Sequence, residues 1–99
     1  MYIMYESEEF TRSIADIFYA YDPIGINFGS NPDEYTFEAQ KVIDKLNLSD
    51  SVEDVRNTVY NVMRDMFDTQ LAGDKESQMY KDIAKETWKL WNEQWTKIG

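Results

Sequence analysis

Apolar residues recur at helical spacing along this chain. In two segments they stand at offsets 0, 4, 7, 8 and 11, which places them on one face of an α-helix. These residues are Phe10, Ile14, Ile17, Phe18 and Tyr21 in the first segment, and Tyr35, Ala39, Val42, Ile43 and Leu46 in the second. The spacing predicts two helices that each bury one face.

Two more apolar stripes follow in the second half of the sequence. The third stripe is Val52, Val55, Val59, Val62, Met63, Met66 and Phe67, and the fourth is Met79, Tyr80, Ile83, Ala84, Trp88, Leu90, Trp91 and Trp95. Valine favours strands, but the period of the third stripe is helical. The fourth stripe covers about 180° of a helical wheel, so we expect its helix to carry apolar surface beyond what a core requires.

Residues that start helices precede each stripe. The N-cap candidates are Ser7 for the first helix, Asn31 in 31-NPDE-34 for the second, Ser51 for the third, and Asp74 or Ser77 for the fourth. Four such helices with short connections predict an all-α fold, a single compact antiparallel four-helix bundle that forms one domain over residues 1–99. The chain is long enough for one core, since about 6,000 Å² of surface would remain exposed after folding.

Both prolines and two glycines lie in the stretch 21-YDPIGINFGSNPDEY-35. Asp22 precedes a proline, and such residues avoid helical geometry, so the first helix should end near Tyr21. Gly25 can adopt the positive φ of a turn. We therefore expect an ordered loop between helices 1 and 2. The other long connection, 68-DTQLAGDKES-77, is predicted to be a linker that is broken at Gly73.

Three sequence features resemble a family of small bacterial helical domains of unknown function, family 1871. They are an aromatic-Asp-Pro-Ile-Gly turn, an Asp-Glu-Tyr followed by a further Glu, and a helix start with the pattern Ser-x-Glu-Asp-Val. The matching residues are Tyr21-Asp22-Pro23-Ile24-Gly25, Asp33-Glu34-Tyr35 with Glu38, and Ser51-Val52-Glu53-Asp54-Val55. The family itself supplies no activity. Proteins with a similar Asp-Pro-Ile-Gly loop include immunity proteins that neutralise bacterial toxins, so the resemblance permits a toxin inhibitor.

The chain has no cysteine and no histidine. This composition excludes disulfides, zinc sites built on cysteine, thiolate nucleophiles and imidazole bases. Neither G-x-G-x-x-G nor G-x-x-x-x-G-K-[ST] occurs. We therefore expect no enzyme, no catalytic residue, no resident metal and no cofactor. No signal-peptide pattern or membrane-length apolar run is present, which favours a cytoplasmic protein without a membrane partner.

The formal net charge of −9 is unevenly distributed along the chain. Residues 1–40 carry −7, residues 41–74 carry −3 and residues 75–99 carry +1. An acidic excess disfavours direct nucleic-acid binding, which needs Lys and Arg to neutralise phosphates. It suits a basic protein partner, and solubility alone is the other interpretation.

Four acids, Asp22, Asp33, Glu34 and Glu38, gather around the loop between helices 1 and 2. They are candidates for binding Lys and Arg of a partner. Two alternatives stay open: the acids stabilise the turn and the helix start, or they hold a hard cation, which prefers several oxygen ligands.

Trp88, Trp91 and Trp95 form a second candidate site, because they follow each other at helical spacing beside a row of lysines. Tryptophan is enriched in protein interfaces, although the same spacing also suits core packing. Stacking on single-stranded nucleic acid and binding to a membrane surface are disfavoured by the acidic charge.

The function predicted from these features is a non-enzymatic protein-binding module. It would act as an acidic inhibitor or immunity-type protein that binds a basic partner, such as a toxin or nuclease, through Asp22, Asp33, Glu34, Glu38, Trp88, Trp91 and Trp95. One alternative is a structural homo-oligomer, for instance a homodimer, that buries the tryptophan face. The other is a metal-dependent hydrolase that uses the acidic loop.

Overall fold

The part of the chain that the structure describes folds into helices. A computed structural model describes residues 8–25 and 35–98, with side chains within residues 9–25 and 35–93. These ranges contain α1 (Glu8–Tyr21), α2 (Thr36–Leu46), α3 (Val52–Met66), α4 (Thr69–Ala72) and α5 (Gln78–Ile98), and no strand. The all-α prediction is confirmed, but the described helices number five and not four. No described helix is both long and apolar enough to cross a bilayer.

The additional helix, α4, lies within the segment predicted to be a linker. Its first turn is capped by Asp68, whose side chain accepts a hydrogen bond of 2.7 Å from the Leu71 amide. Gly73 ends it with φ +79°, a conformation that L-residues with side chains rarely adopt. An Asp N-cap and a Gly end are enough to form one turn of helix between the longer helices.

The α4 segment returns the chain along α3. Arg56 Nη1, in the first half of α3, lies 3.3 Å from Glu76 Oε1, just before α5 begins. The rings of Tyr60 and Tyr80 meet edge to face at 5.5 Å between centroids. Thus α5 starts beside the middle of α3. A short hairpin would have started it beside the end of α3. Because a fifth helix lies in this connection, the predicted four-helix bundle is not confirmed.

The four longer helices contact one another in a closed ring, with α1 on α2, α2 on α3, α3 on α5 and α5 on α1. The predicted stripes supply the core that this ring encloses. The largest fully buried side chains are Tyr35, Tyr80, Phe18, Ile14, Ile43, Leu46, Met63, Ile83, Val42, Val55, Val59 and Thr87. The radius of gyration of 12.8 Å is close to the roughly 13 Å of a compact domain of this length. A single domain over the whole chain stays a prediction.

Most helix ends agree with the sequence analysis. Helix α1 ends at Tyr21, and Ser51 caps α3 by accepting a hydrogen bond of 3.2 Å from the Asp54 amide. Helix α2 is the exception. It begins at Thr36, with Tyr35 in the N-cap position at φ −112° and ψ 12° and no capping side chain. The predicted start at 31-NPDE-34 lies outside the described residues.

The buried hydroxyl of Tyr80 gives a test of this chain path. It donates a hydrogen bond of 2.6 Å to the carbonyl oxygen of Ala72 and so ties α4 to α5. Because Tyr80→Phe leaves that buried carbonyl without its partner, we expect the free energy of unfolding to fall by about 1–2 kcal/mol in urea denaturation. Tyr60→Phe is the control, since the Tyr60 hydroxyl has no hydrogen-bond partner among the described residues. Equal losses in both variants would contradict the role of the Tyr80–Ala72 bond.

Candidate functional site

The turn after α1 holds the first of the predicted site residues, Asp22. Its φ of 50° is left-handed, and its amide donates a hydrogen bond of 2.7 Å to the Phe18 carbonyl oxygen, which closes the last turn of the helix. The Gly25 amide then donates to the Asp22 carbonyl at 3.1 Å, with Gly25 at φ 80°. The chain therefore reverses over Asp22 to Gly25 as the sequence predicts.

The Tyr35 hydroxyl fastens this turn to the start of α2. It donates a hydrogen bond of 2.6 Å to Asp22 Oδ1 and accepts one of 3.1 Å from the Ile24 amide. The Tyr35 side chain is fully buried, and its ring meets that of Phe18 edge to face at 6.3 Å. One function of the Asp22 carboxylate is thus architectural, which is one of the alternatives that the sequence left open. A role of Asp22 in partner binding stays a prediction.

Glu38 lies in the first turn of α2 and faces the interior, with only 6% of its surface exposed. Its Oε1 atom has no hydrogen-bond partner among the described residues. Burial raises the pKa of the Glu38 carboxyl above its ordinary value of 4.5, and a hydrogen bond from its own backbone amide opposes that shift. In this conformation Glu38 does not present its carboxylate to a partner protein.

The remaining acids of the predicted cluster, Asp33 and Glu34, lie outside the described residues. Among the residues that are described, no group of three or more acids is arranged to hold a metal ion. A site that combined Asp22 and Glu38 with Asp33 and Glu34 therefore stays a prediction, as does the metal-dependent hydrolase that would use it.

The tryptophans of α5 divide between core and surface. Trp91 is 5% exposed and packs on Phe10 of α1 at 6.2 Å between ring centroids. Trp88 is half-buried, and the side chain of Trp95 lies outside the described residues. A buried Trp91 does not offer an anchor to a partner, so the described part of the predicted aromatic interface is reduced to the exposed portion of Trp88. Whether Trp88 and Trp95 bind a partner stays a prediction.

The sequence analysis missed the large apolar side chains that are exposed. Among the residues whose side chains are described, these are Phe37 at 60%, Leu48 at 78% and Leu71 at 51%. The helical spacing that identified the core residues also shows which residues lie on the opposite face of each helix. Phe37 stands about 200° from Tyr35 on a helical wheel, on the face opposite the buried stripe of α2. An aromatic residue in that position is predicted to face solvent or a partner.

Three exposed acids surround Leu71 in sequence, and we name these four residues the acidic corner: Asp68, Leu71, Asp74 and Glu76. Each acid is positioned by a contact. Asp68 caps α4, Asp74 Oδ1 accepts a hydrogen bond of 2.9 Å from the Glu76 amide, and Glu76 pairs with Arg56. The corner therefore holds carboxylates in defined contacts, on either side of one exposed leucine in the sequence.

Compared with known proteins, the chain matches no family model, no curated protein and no solved structure. The resemblance to family 1871 stays a prediction that rests on the residues quoted for it.

The two hydrogen bonds of the Tyr35 hydroxyl predict a specific loss of stability when they are removed. Tyr35→Phe removes the donor to Asp22 and the acceptor of the Ile24 amide, so we expect the free energy of unfolding to fall by about 1–3 kcal/mol. Asp22→Asn keeps an oxygen acceptor and a residue that tolerates positive φ, and it should cost less. Chemical denaturation of both variants measures the difference. If Tyr35→Phe unfolds like the wild type, the hydroxyl does not stabilise the turn.

The burial of Glu38 predicts how stability depends on pH. Because its pKa is raised in the fold, the unfolded chain binds fewer protons than the folded chain above about pH 4.5, and wild-type stability should decline as pH rises through the folded pKa. Glu38→Gln lacks this loss. We expect the variant to exceed the wild type in free energy of unfolding at pH 7, with the advantage shrinking toward pH 4. Glu93→Gln, at an exposed position, is the control; parallel curves for wild type and Glu38→Gln would contradict the assignment.

Proposed function

We propose that this chain is a protein-binding domain without chemistry of its own, and that it binds a basic surface of another protein as an inhibitor does. The observation that supports the proposal is the acidic corner, a short stretch of chain in which the half-exposed Leu71 lies in sequence between the exposed Asp68 and the exposed Asp74 and Glu76. Exposed acids outnumber exposed bases over the described surface as well, in keeping with the net charge of −9.

The corner combines two contributions to binding. Its carboxylates accept hydrogen bonds from Lys and Arg, and they raise the rate of encounter with a positive surface. Leu71 supplies apolar area that leaves water when a partner covers it, and this burial supplies affinity. Because hydrogen bonds already fix Asp68 and Asp74, less side-chain entropy is lost on binding.

Two facts agree with a binding role at this surface. The sequence has no histidine or cysteine to act as base or nucleophile. Two acids of the predicted loop are described: Asp22 accepts a hydrogen bond from the buried Tyr35, and Glu38 is buried. Among the described residues, the acidic corner therefore offers more exposed carboxylates than that loop does. The partner is defined by its chemistry: a protein with a cationic cleft or patch.

The partner can be captured from the source lysate on the tagged chain, with washes at about 50 mM and about 500 mM salt, because screening weakens contacts between exposed charges. Association of that partner is then measured with Asp68→Asn/Asp74→Asn, which keeps an N-cap and an acceptor at each position. We expect association about three- to tenfold slower at low salt, with little difference from wild type at high salt.

Asp16→Asn/Glu93→Gln removes the same net charge from exposed positions on α1 and α5 and is the matched control. Leu71→Ala should raise the dissociation rate while leaving the association rate nearly unchanged. If the control slows association as much as the corner variant does, net charge alone explains the binding. If neither variant has an effect, the corner is not the interface.

A further inference from the structure

The outer face of α2 carries four exposed residues in one line, which we name the outer stripe: Phe37, Lys41, Asp44 and Leu48. At 100° per residue they fall within about 60° of one another, opposite the buried face of the helix. Phe37 and Leu48 are the two most exposed large apolar residues of the described chain. Leu48 follows the end of α2, where its amide still donates a hydrogen bond of 3.1 Å to the Lys45 carbonyl, so the turn extends the helix to this residue.

The steps between stripe residues are four, three and four. This spacing is typical of the seam by which one helix packs on another, because residues three and four apart recur on the same side of the helix. The buried face of α2 has its own seam with the core through Ala39, Val42, Ile43 and Leu46. The outer stripe is therefore a second packing face on the same helix, and no described helix covers it.

The spacing of the stripe residues is symmetric about its centre, and the two charges on either side of that centre are opposite in sign. The stripe reads apolar, basic, acidic, apolar, with the midpoint between Val42 and Ile43. When two such helices lie antiparallel across a two-fold axis, Phe37 stands opposite Leu48 of the other copy and Lys41 stands opposite Asp44. Each position thus meets a residue of complementary chemistry, as an isologous contact requires.

Two contacts hold the charged residues of the stripe in place. The Lys41 ammonium lies 5.1 Å from the centroid of the Phe37 ring, and Asp44 Oδ1 accepts a hydrogen bond of 3.1 Å from Gln40 Nε2. The formal charges of Lys41 and Asp44 cancel. Two molecules of net charge −9 therefore repel each other less across this face than across their acidic surfaces.

We propose that the outer stripe is the contact surface of an antiparallel two-fold dimer of this chain. A single pair of helices of this length buries less than the roughly 1,200 Å² of a standard interface. The dimer is accordingly weak, with a Kd on the order of 10–100 µM, and forms as the concentration rises. The outer stripe shares no residue with the acidic corner, so the inference does not depend on the proposed function.

The test is sedimentation equilibrium of the full chain from about 10 µM to about 1 mM at about 150 mM salt, a range that brackets the expected Kd. Lys41→Asp places two acids opposite each other at both symmetric positions, and Asp44→Lys places two lysines there. Each single variant should weaken the dimer at least tenfold. The charge-swapped Lys41→Asp/Asp44→Lys should restore the Kd to within about threefold of wild type, because only antiparallel two-fold pairing brings these positions together.

Lys85→Asp changes the net charge by the same amount on an exposed position of α5 and should leave the Kd unchanged. Phe37→Ser and Leu48→Ser should each weaken the dimer, and thermal melts of all variants identify any that lose the fold. A monomer throughout the concentration range would overturn the proposal. A dimer that the stripe variants do not weaken, or single-variant losses that the charge swap does not repair, would overturn it as well.

Discussion

One hydroxyl group fixes the relation between the first two helices. Tyr35 Oη accepts a hydrogen bond from the Ile24 amide and donates one to the Asp22 carboxylate. A single atom therefore joins two residues of the turn after α1 to the start of α2. The ring beneath it is buried against Phe18. Because α1 and α2 are neighbours in the closed ring of helices, the position of this residue decides how α1 meets the rest of the core.

The hydrogen bonds of the Tyr35 hydroxyl also explain where α2 begins. Tyr35 reaches back to the turn from a backbone conformation that is not helical, and Thr36 is the first residue of the helix. Glu38 then enters the interior one turn later, with one carboxylate oxygen that has no partner in the described part of the chain. An unsatisfied buried oxygen and a raised pKa both reduce stability at neutral pH. The start of α2 therefore combines a hydroxyl that makes two hydrogen bonds, that of Tyr35, with a buried carboxylate oxygen that makes none among the described residues.

Much of the fold follows from periodicity and capping in the sequence. The stripes that contain Phe18, Val59 and Ile83 are buried, Ser51 caps α3, and α1 ends at Tyr21. These outcomes are local, since each depends on spacing or on a side chain within one turn. The ends of the additional helix α4 are also marked by nearby residues, Asp68 and Gly73. A four-residue helix is too short, however, to show apolar periodicity in the sequence.

The candidate site was less predictable because it depends on contacts between residues that are far apart in the sequence. The role of Asp22 requires a hydroxyl thirteen residues further along, and the return of the chain along α3 brings together Arg56 and Glu76, which are twenty residues apart. Neither separation is a helical repeat, so no pattern in the sequence connects those residues. The inward position of Glu38 had a signal, since it lies at the edge of the apolar stripe about 60° from Tyr35. Its charge masked that signal, because acids are rarely buried.

The absence of histidine and cysteine determines how the charge of this protein responds to its solution. No side chain has an ordinary pKa near neutrality, since histidine and cysteine are absent. The hydrogen bond to Glu86 raises the pKa of Tyr21 to about 12, and burial raises that of Tyr80 to about 12. Apart from Glu38, whose pKa burial raises, the side-chain charge of the folded molecule is therefore nearly constant from mildly acidic to mildly alkaline conditions. Ionic strength, which sets a screening length of about 8 Å at 0.15 M salt, becomes the variable that governs how far its negative field extends.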